Sequence, residues 1–360
     1  MENMKSRNNL VEFERFLFSM LVIGYHVQAS FLTEKTDFFE WGALAVEFFF
    51  ILTGFFFASS VEKSCLDEGN FLKKSGLFIG KKVVGVLPEH IIAIVAVLIV
   101  IGICDASSFV DKLLNGLPSV FFVQMFVIWD SSFSNALIVP EWYISSMLVC
   151  LLFMTPIAFA LRRKIKGVLV SIVLVVILVV ILVIGGFSFN WAFPMNFIYN
   201  LRAWGEMFVG MFAFYLAKKI SSKETDCKYS AVLKVLEIVL YTVPVLLGII
   251  PLDSYLSFVG MIVAVVCVFF AICITFSGNG IQISNKNVNK VFGFLGSISL
   301  ATYLFHPIII ELIDYVYIDV AEWVKYLIVF SSTIVLSILY KLIANLIKAT
   351  ITRKRVANNA

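Results

Sequence analysis

Two residues near the start of the chain, Arg15 and His26, have a spacing that places both side chains on one face of a helix. Eleven residues make about three turns and about 16 Å of rise. A guanidinium can bind phosphate, and an imidazole can take a proton from a hydroxyl near neutral pH. The spacing equally suits an arginine that reaches a membrane surface and a structural histidine. It therefore predicts one shared face and leaves both roles open.

A carboxylate, Glu47, interrupts a second apolar run that is rich in phenylalanine. A charge in such surroundings is costly and needs a partner. We expect His26 to be that partner, because the two helices are consecutive and the two residues are predicted to lie at comparable depth. A carboxylate that orients an imidazole is common in catalysis. The alternative is a protonated, purely structural Glu47.

Three further polar residues fall inside apolar runs. Arg202 and Glu206 are one helical turn apart and are predicted to pair locally, either as a structural ion pair or to position a substrate. His306 precedes Pro307, which is expected to kink the helix. His306 then either contacts a substrate or packs against a neighbouring helix.

The composition places these residues in a membrane. Of 360 residues, 61% are hydrophobic and 14% are charged, whereas a soluble domain has about 25% charged residues. Lipid must therefore cover the surface. The net charge of +4 comes from short basic segments, which excludes a nucleic-acid partner. The six cysteines show no metal-ligand spacing, so no metal site is predicted.

The apolar runs predict an all-α polytopic membrane bundle that forms one domain over residues 1–360. Ten runs suit a membrane span of about 20 residues. The ten predicted spans are 11–31, 41–60, 86–104, 141–161, 167–187, 197–217, 231–250, 255–276, 291–313 and 324–347. A shorter apolar run, 118–129, predicts a re-entrant or interfacial helix.

The basic residues predict the orientation of this bundle. Lysine and arginine collect on the predicted loops of one side, including the N-terminal segment, the C-terminal segment and a loop that carries Lys81 and Lys82. The opposite loops are acidic or neutral. The positive-inside rule therefore predicts that both termini are cytoplasmic.

Several segments together resemble the acyltransferase-3 family of integral membrane acyltransferases, over nearly the whole chain. The resemblance is carried by Arg15–x10–His26, Val46–Phe55, Pro140–Ser145 with Trp142 and Tyr143, Leu201–Gly210 with Arg202, and Leu295–His306. One departure is the segment 81–88, where Lys81 and Lys82 replace arginines common in the family and Gly85 replaces another.

The resemblance implies transfer of an acyl group, often acetyl, from cytoplasmic acyl-CoA to a hydroxyl of an envelope glycan, exopolysaccharide or lipid-linked sugar. Arg15, with Lys81 and Lys82, would hold the anionic part of the donor. His26 would be the general base or a transient acyl carrier, oriented by Glu47. Weaker candidates for substrate binding are Trp142, Tyr143, Arg202, Glu206 and His306. We expect a standalone member in a bacterial cytoplasmic membrane, without a fused hydrolase-like domain.

Two other classes of function fit polar residues within membrane spans. One is a transporter or flippase of polysaccharide or a small metabolite. The other is a scaffold of an envelope-synthesis complex that does no chemistry. A transporter leaves acyl-CoA intact, so consumption of the thioester distinguishes the enzyme from it.

Overall fold

A computed structural model describes residues 8–31, 38–64, 70–126, 136–161, 195–221, 227–251, 254–316 and 320–359. Within these ranges the chain forms eleven α-helices and no strand. The helices are α1 (Asn9–Phe31), α2 (Ala45–Ser64), α3 (Phe71–Cys104), α4 (Phe109–Asn115), α5 (Leu117–Val120), α6 (Trp142–Ala160), α7 (Met195–Ser221), α8 (Cys227–Ile249), α9 (Ser254–Ser277), α10 (Lys286–Val316) and α11 (Glu322–Asn359). One-turn 3-10 helices, Gly42–Leu44 and Val139–Glu141, precede α2 and α6.

Seven stretches in the described part of the chain are helical, long and apolar enough to cross a membrane. They are Gly42–Ser64, Phe71–Cys104, Val139–Ala160, Tyr229–Ile249, Val259–Ser277, Lys286–Val316 and Glu322–Arg353. The predicted all-α polytopic membrane bundle is thus confirmed. Helices α1 and α7 also have the required length, but their polar residues make them less apolar than these seven stretches. The predicted span 167–187 lies outside the described residues.

Side-chain pairs along α1 and α10 show that these helices run in the same direction. Asn9 Nδ2 donates to Asn289 Oδ1 at 2.9 Å, Ser19 Oγ donates to the carbonyl of Ser299 at 3.2 Å, and the rings of Phe13 and Phe292 stack with centroids 4.3 Å apart. Each pair is separated by about the same number of residues. The two helices therefore share one long seam that includes polar contacts.

Helix α7 runs parallel to both α2 and α6. Lys218 of α7 pairs with Glu62 of α2 at 2.6 Å, and the pair of Arg202 with Glu47 follows the same offset. Ser146 Oγ of α6 donates to Asn200 Oδ1 of α7 at 2.6 Å, and farther along both helices the ring of Phe153 contacts that of Trp204. The shared direction agrees with the ten-span prediction, in which spans two, four and six run the same way.

Two glycines allow α2 and α7 to cross in close contact. A Cβ atom on Gly54 of α2 would collide with the carbonyl oxygen of Met207, and one on Gly210 of α7 would collide with that of Ile51. Small residues at helix crossings in membranes allow backbones to approach closely. This crossing fixes the register in which the polar residues of the two helices meet.

The prediction that Lys81 and Lys82 lie in a loop is wrong. Helix α3 begins at Phe71, where the side chain of Asn70 accepts hydrogen bonds from two backbone amides, and it runs through both lysines to Cys104. Lysine is a good helix former, and residues 71–87 contain no proline that would end a helix. Helix α3 is therefore longer than its apolar core, and the hydropathy of the core alone placed its start too late.

The chain returns into the bundle after α3, as the re-entrant interpretation predicts, but with little helix. Helices α4 and α5 have seven and four residues, and turns follow. Phe122 nevertheless stacks on His90, with ring centroids 3.9 Å apart. His90 lies fourteen residues before the end of α3, which is about 21 Å of helix. The rest of the predicted segment, residues 127–129, lies outside the described residues.

Candidate active site

Three charged side chains from α2 and α7 form a carboxylate–arginine cluster. Arg202 donates through Nη2 to Glu47 and through Nε to Glu206 at 3.0 Å. The Glu47 side chain is 1% exposed and that of Glu206 is 8% exposed. The predicted local pairing of Arg202 with Glu206 is confirmed. One arginine therefore compensates two buried carboxylates, as burial of charge requires.

The expectation that Glu47 lies level with His26 and orients it is wrong. Phe18 of α1 stacks on Phe48 of α2 with ring centroids 4.3 Å apart, so Glu47 lies near the level of Phe18. His26 is eight residues farther along α1, about 12 Å away along the helix axis. The cause is the segment before α2, in which Gly42 packs against Leu21 and Phe39 against Gly24. That segment folds back along α1, so α2 begins deeper than the sequence spacing suggests.

The partner that His26 does have is a second histidine. The rings of His26 on α1 and His306 on α10 lie with centroids 5.1 Å apart. Both ring nitrogens of His306 are buried, and neither forms a hydrogen bond with any residue that the structure describes. We call these residues the histidine pair. It combines two groups that can accept or donate a proton at the seam of α1 and α10.

Basic residues of α1 and α3 form a cationic end, which we define as Arg15, Lys81 and Lys82. Arg15 is 35% exposed and contacts Glu12 at 3.3 Å. Lys82 lies close enough to Arg15 to interact with it electrostatically. Lys81 is exposed on the surface of the same helix. Arg15 and Lys82 therefore suit the binding of an anionic group, although Glu12 lies beside them. Lys81 lies at the margin of the cationic end.

Tyrosine side chains connect the cationic end to the histidine pair. Tyr143, at the start of α6, interacts electrostatically with Arg15, and its hydroxyl lies 3.3 Å from Thr53 Oγ1. Its ring centroid is 5.9 Å from that of Tyr303. The Tyr303 centroid is in turn 6.4 Å from that of His306. A line of aromatic and polar side chains therefore runs through the bundle from Arg15 to His26.

Trp142, the other aromatic candidate, lies beside this line. Its ring centroid is 5.2 Å from that of Tyr199 on α7 and 6.2 Å from that of Phe50 on α2. It thus packs the start of α6 against both helices that carry the carboxylate–arginine cluster. Trp142 would therefore border the line of side chains from Arg15 to His26 rather than form part of it.

Sequence reasoning missed three buried polar residues, His90, Ser119 and Glu141. His90 and Glu141 had a detectable signal, since each is an ionisable residue inside or at the edge of a predicted span. Ser119 carried no signal, because a serine in a short apolar run is ordinary. In the described part of the chain, no group of three or more His, Cys, Asp or Glu side chains could hold a metal ion.

The family model described as an acyltransferase domain, acyltransferase-3, matches residues 11–342. No curated protein and no solved structure matches the chain. The matched range includes every residue of the cationic end, the carboxylate–arginine cluster and the histidine pair. The chain therefore belongs to the acyltransferase-3 family and is a membrane acyltransferase.

Proposed function

We propose that this acyltransferase moves an acyl group, most simply acetyl, from acyl-CoA to a hydroxyl of an envelope glycan, exopolysaccharide or lipid-linked sugar. The observation that carries the proposal is the line of side chains from Arg15 through Tyr143 and Tyr303 to the histidine pair. Such a line suits an elongated donor with an anionic end and a reactive end. In the proposed orientation, Arg15 faces the cytoplasm of a bacterial cell and both chain termini are cytoplasmic.

The residues of the cationic end suit the binding of the acyl-CoA donor. Arg15 and Lys82 would bind phosphate oxygens of acyl-CoA, Arg15 through its planar fork and Lys82 as a point charge. His26 is about 16 Å along α1 from Arg15. That separation suits a donor whose phosphates and thioester are joined by the long pantetheine arm. Lys81, which is exposed, would contribute long-range attraction for the anion.

The chemical step requires one base and one polarised carbonyl. The acceptor hydroxyl oxygen attacks the thioester carbonyl carbon while His26 accepts the hydroxyl proton. The new ester C–O bond forms, the C–S bond breaks, and coenzyme A leaves as a thiolate that takes up a proton. His306 faces His26 and would hold its ring in place or share the proton. In this scheme His26 is the base and His306 is a supporting imidazole.

The carboxylate–arginine cluster has a positioning role in this scheme. Glu206 interacts electrostatically with Tyr143, which lines the path between the two ends. Arg202 of α7 binds Glu206 on its own helix and Glu47 on α2, and so links the two helices. The cluster would therefore hold Tyr143 in position and keep α2 and α7 aligned, without touching the reacting atoms.

The test is release of coenzyme A from acetyl-CoA by the purified protein in lipid nanodiscs, with an extract of envelope glycans as acceptor. We expect His26→Ala to lower the rate at least about a hundredfold, the usual contribution of a general base. Arg15→Gln should instead raise the KM for acetyl-CoA. Gln28→Ala, on the same helix, is the matched control and should retain the wild-type rate. An unchanged rate for His26→Ala would overturn the mechanism, and an intact thioester with the wild type would favour a transporter.

A further inference from the structure

Three polar side chains that the proposed chemistry does not use are buried where α3 meets the segment before α6. His90, Ser119 and Glu141 are each at most 1% exposed. Neither ring nitrogen of His90, nor Ser119 Oγ, nor either carboxylate oxygen of Glu141 has a hydrogen-bond partner among the described residues. A buried polar group without a partner destabilises a fold substantially. Five such atoms lie in one region and are therefore available to bind a ligand.

The three side chains converge on one place. The His90 ring stacks on Phe122 and lies against the backbone of Ser119 and Val120. Ser119 also lies beside the carboxylate of Glu141, close enough to interact but outside hydrogen-bond geometry. We call His90, Ser119, Phe122 and Glu141 the acceptor pocket. It combines a carboxylate, an imidazole and a hydroxyl with the face of an aromatic ring.

The re-entrant backbone beside this pocket is held by other residues. Ser145 Oγ donates to the carbonyl of Phe122 at 2.8 Å and accepts from the amide of Met125 at 2.9 Å. Asn200 Nδ2 donates to the carbonyl of Met125 at 2.7 Å. Phe122 has a φ of +58°, a conformation that bulky residues rarely adopt and that surrounding contacts must enforce. The side chains of α6 and α7 thus fix the backbone and leave the pocket groups available.

The acceptor pocket lies one side chain away from the histidine pair. The hydroxyl of Tyr303 donates to the carbonyl of Pro140 at 2.6 Å, and Tyr303 interacts electrostatically with Glu141. The Tyr303 ring centroid is 6.4 Å from that of His306. A molecule held at Glu141 can therefore extend past Tyr303 to place a hydroxyl near His306 and His26.

We propose that the acceptor pocket binds the hydroxyl-rich acceptor, at the end of the path opposite Arg15. The inference rests on the proposed function and assigns its second substrate site. A carboxylate accepts hydrogen bonds from sugar hydroxyls, while serine and imidazole can donate or accept. The Phe122 ring, which stacks on His90, adds an apolar wall beside these polar groups. Sites of this kind combine an apolar wall with a few placed polar groups.

The experiment uses the full chain in nanodiscs, with octyl β-D-glucoside as the probe acceptor and acetyl-CoA as the donor. The KM of each is measured from coenzyme A release for the wild type, Glu141→Gln and Ser119→Ala. Loss of a hydrogen bond that involves a charged group weakens binding by roughly ten- to a hundredfold. We expect Glu141→Gln to raise the glucoside KM by at least about tenfold, and Ser119→Ala to raise it less. Neither should change the acetyl-CoA KM.

Thr155→Ala is the matched control, because Thr155 is another buried hydroxyl without a partner among the described residues, more than three turns further along α6. It should leave both KM values unchanged. Both pocket variants change few atoms, and monodisperse elution in size-exclusion chromatography checks that each folds. The proposal is overturned if the glucoside does not stimulate the wild type, if its KM is unchanged in the pocket variants, or if both KM values rise together.

The assay with the glycan extract distinguishes failure of the pocket assignment from failure of the proposed function. If His26→Ala abolishes coenzyme A release with the extract while the pocket variants behave as the wild type with the glucoside, only the pocket assignment fails. If His26→Ala leaves the extract-dependent rate unchanged, the catalytic proposal fails as well.

Discussion

The substitution Gly54→Ala tests whether close backbone contact between α2 and α7 holds the site together. The added methyl group would collide with the carbonyl oxygen of Met207, which is a backbone atom and cannot rotate away. The two helices would have to separate, and the ion pair of Glu47 with Arg202 would separate with them. Overpacking typically costs about 1–3 kcal/mol, and the immobile partner places this case at about 3 kcal/mol.

Gly80→Ala on α3 is the matched control, because no atom of the described residues lies within 4 Å of the position that its Cβ would occupy. Replacing a helical glycine by alanine in open space stabilises by about 0.5–1 kcal/mol. The two variants should therefore differ by about 3.5–4 kcal/mol in the free energy of unfolding. The assay is SDS-induced unfolding in mixed micelles, followed by circular dichroism. A Gly54→Ala variant within about 0.5 kcal/mol of Gly80→Ala, a typical limit for a surface substitution, would refute the proposed crossing.

Three further predictions concern a buried charge, a turn and a titration. Arg202→Gln should lower the unfolding free energy by about 3–5 kcal/mol, and the added change Glu47→Gln should cost less in that background than alone; additive costs would argue against the ion pair. Gly278→Ala should cost about 1 kcal/mol in the same assay, because Gly278 has a φ of +83°, and an unchanged stability would contradict that backbone conformation. Hydrogen bonds from Ser108 and Ser107 lower the pKa of Asp105 below its ordinary value. Its contribution to stability is therefore present at neutral pH and is lost as the pH falls through that lowered pKa. Ser108→Ala should raise the NMR titration midpoint of Asp105, and an unshifted midpoint would exclude the hydrogen bond as the cause.

Much of the fold follows from composition and hydropathy. Apolar runs longer than the membrane thickness must be helices, because backbone polar groups in lipid need partners within the same segment. The predicted ends of α1, α6 and α9 accordingly lie within two residues of those observed. The start of α3 was misplaced because Lys81 and Lys82 lower the hydropathy without breaking the helix. Hydropathy reports the lipid-facing core of a helix rather than its whole length.

The site was predictable in its residue types and only partly in its pairings. Helical periodicity alone paired Arg202 with Glu206, since residues four apart on a helix are neighbours. Pairing across helices depends on relative depth, and sequence order carries little information about depth. The turn of chain before α2 folds back beside Gly24 of α1. Because of that shift, Glu47 pairs with Arg202, and the ring of His26 lies against that of His306.

The first feature of the sequence, Arg15 and His26 on one helical face, was determined locally by the period of the helix. What each residue meets was decided by tertiary structure. The seam of α1 and α10 brings together His26 and His306, which are 280 residues apart in the chain. The return of the chain after α3 buries Ser119 and Glu141 beside His90. Contacts at such separations arise from how helices pack in three dimensions, which neither periodicity nor hydropathy specifies.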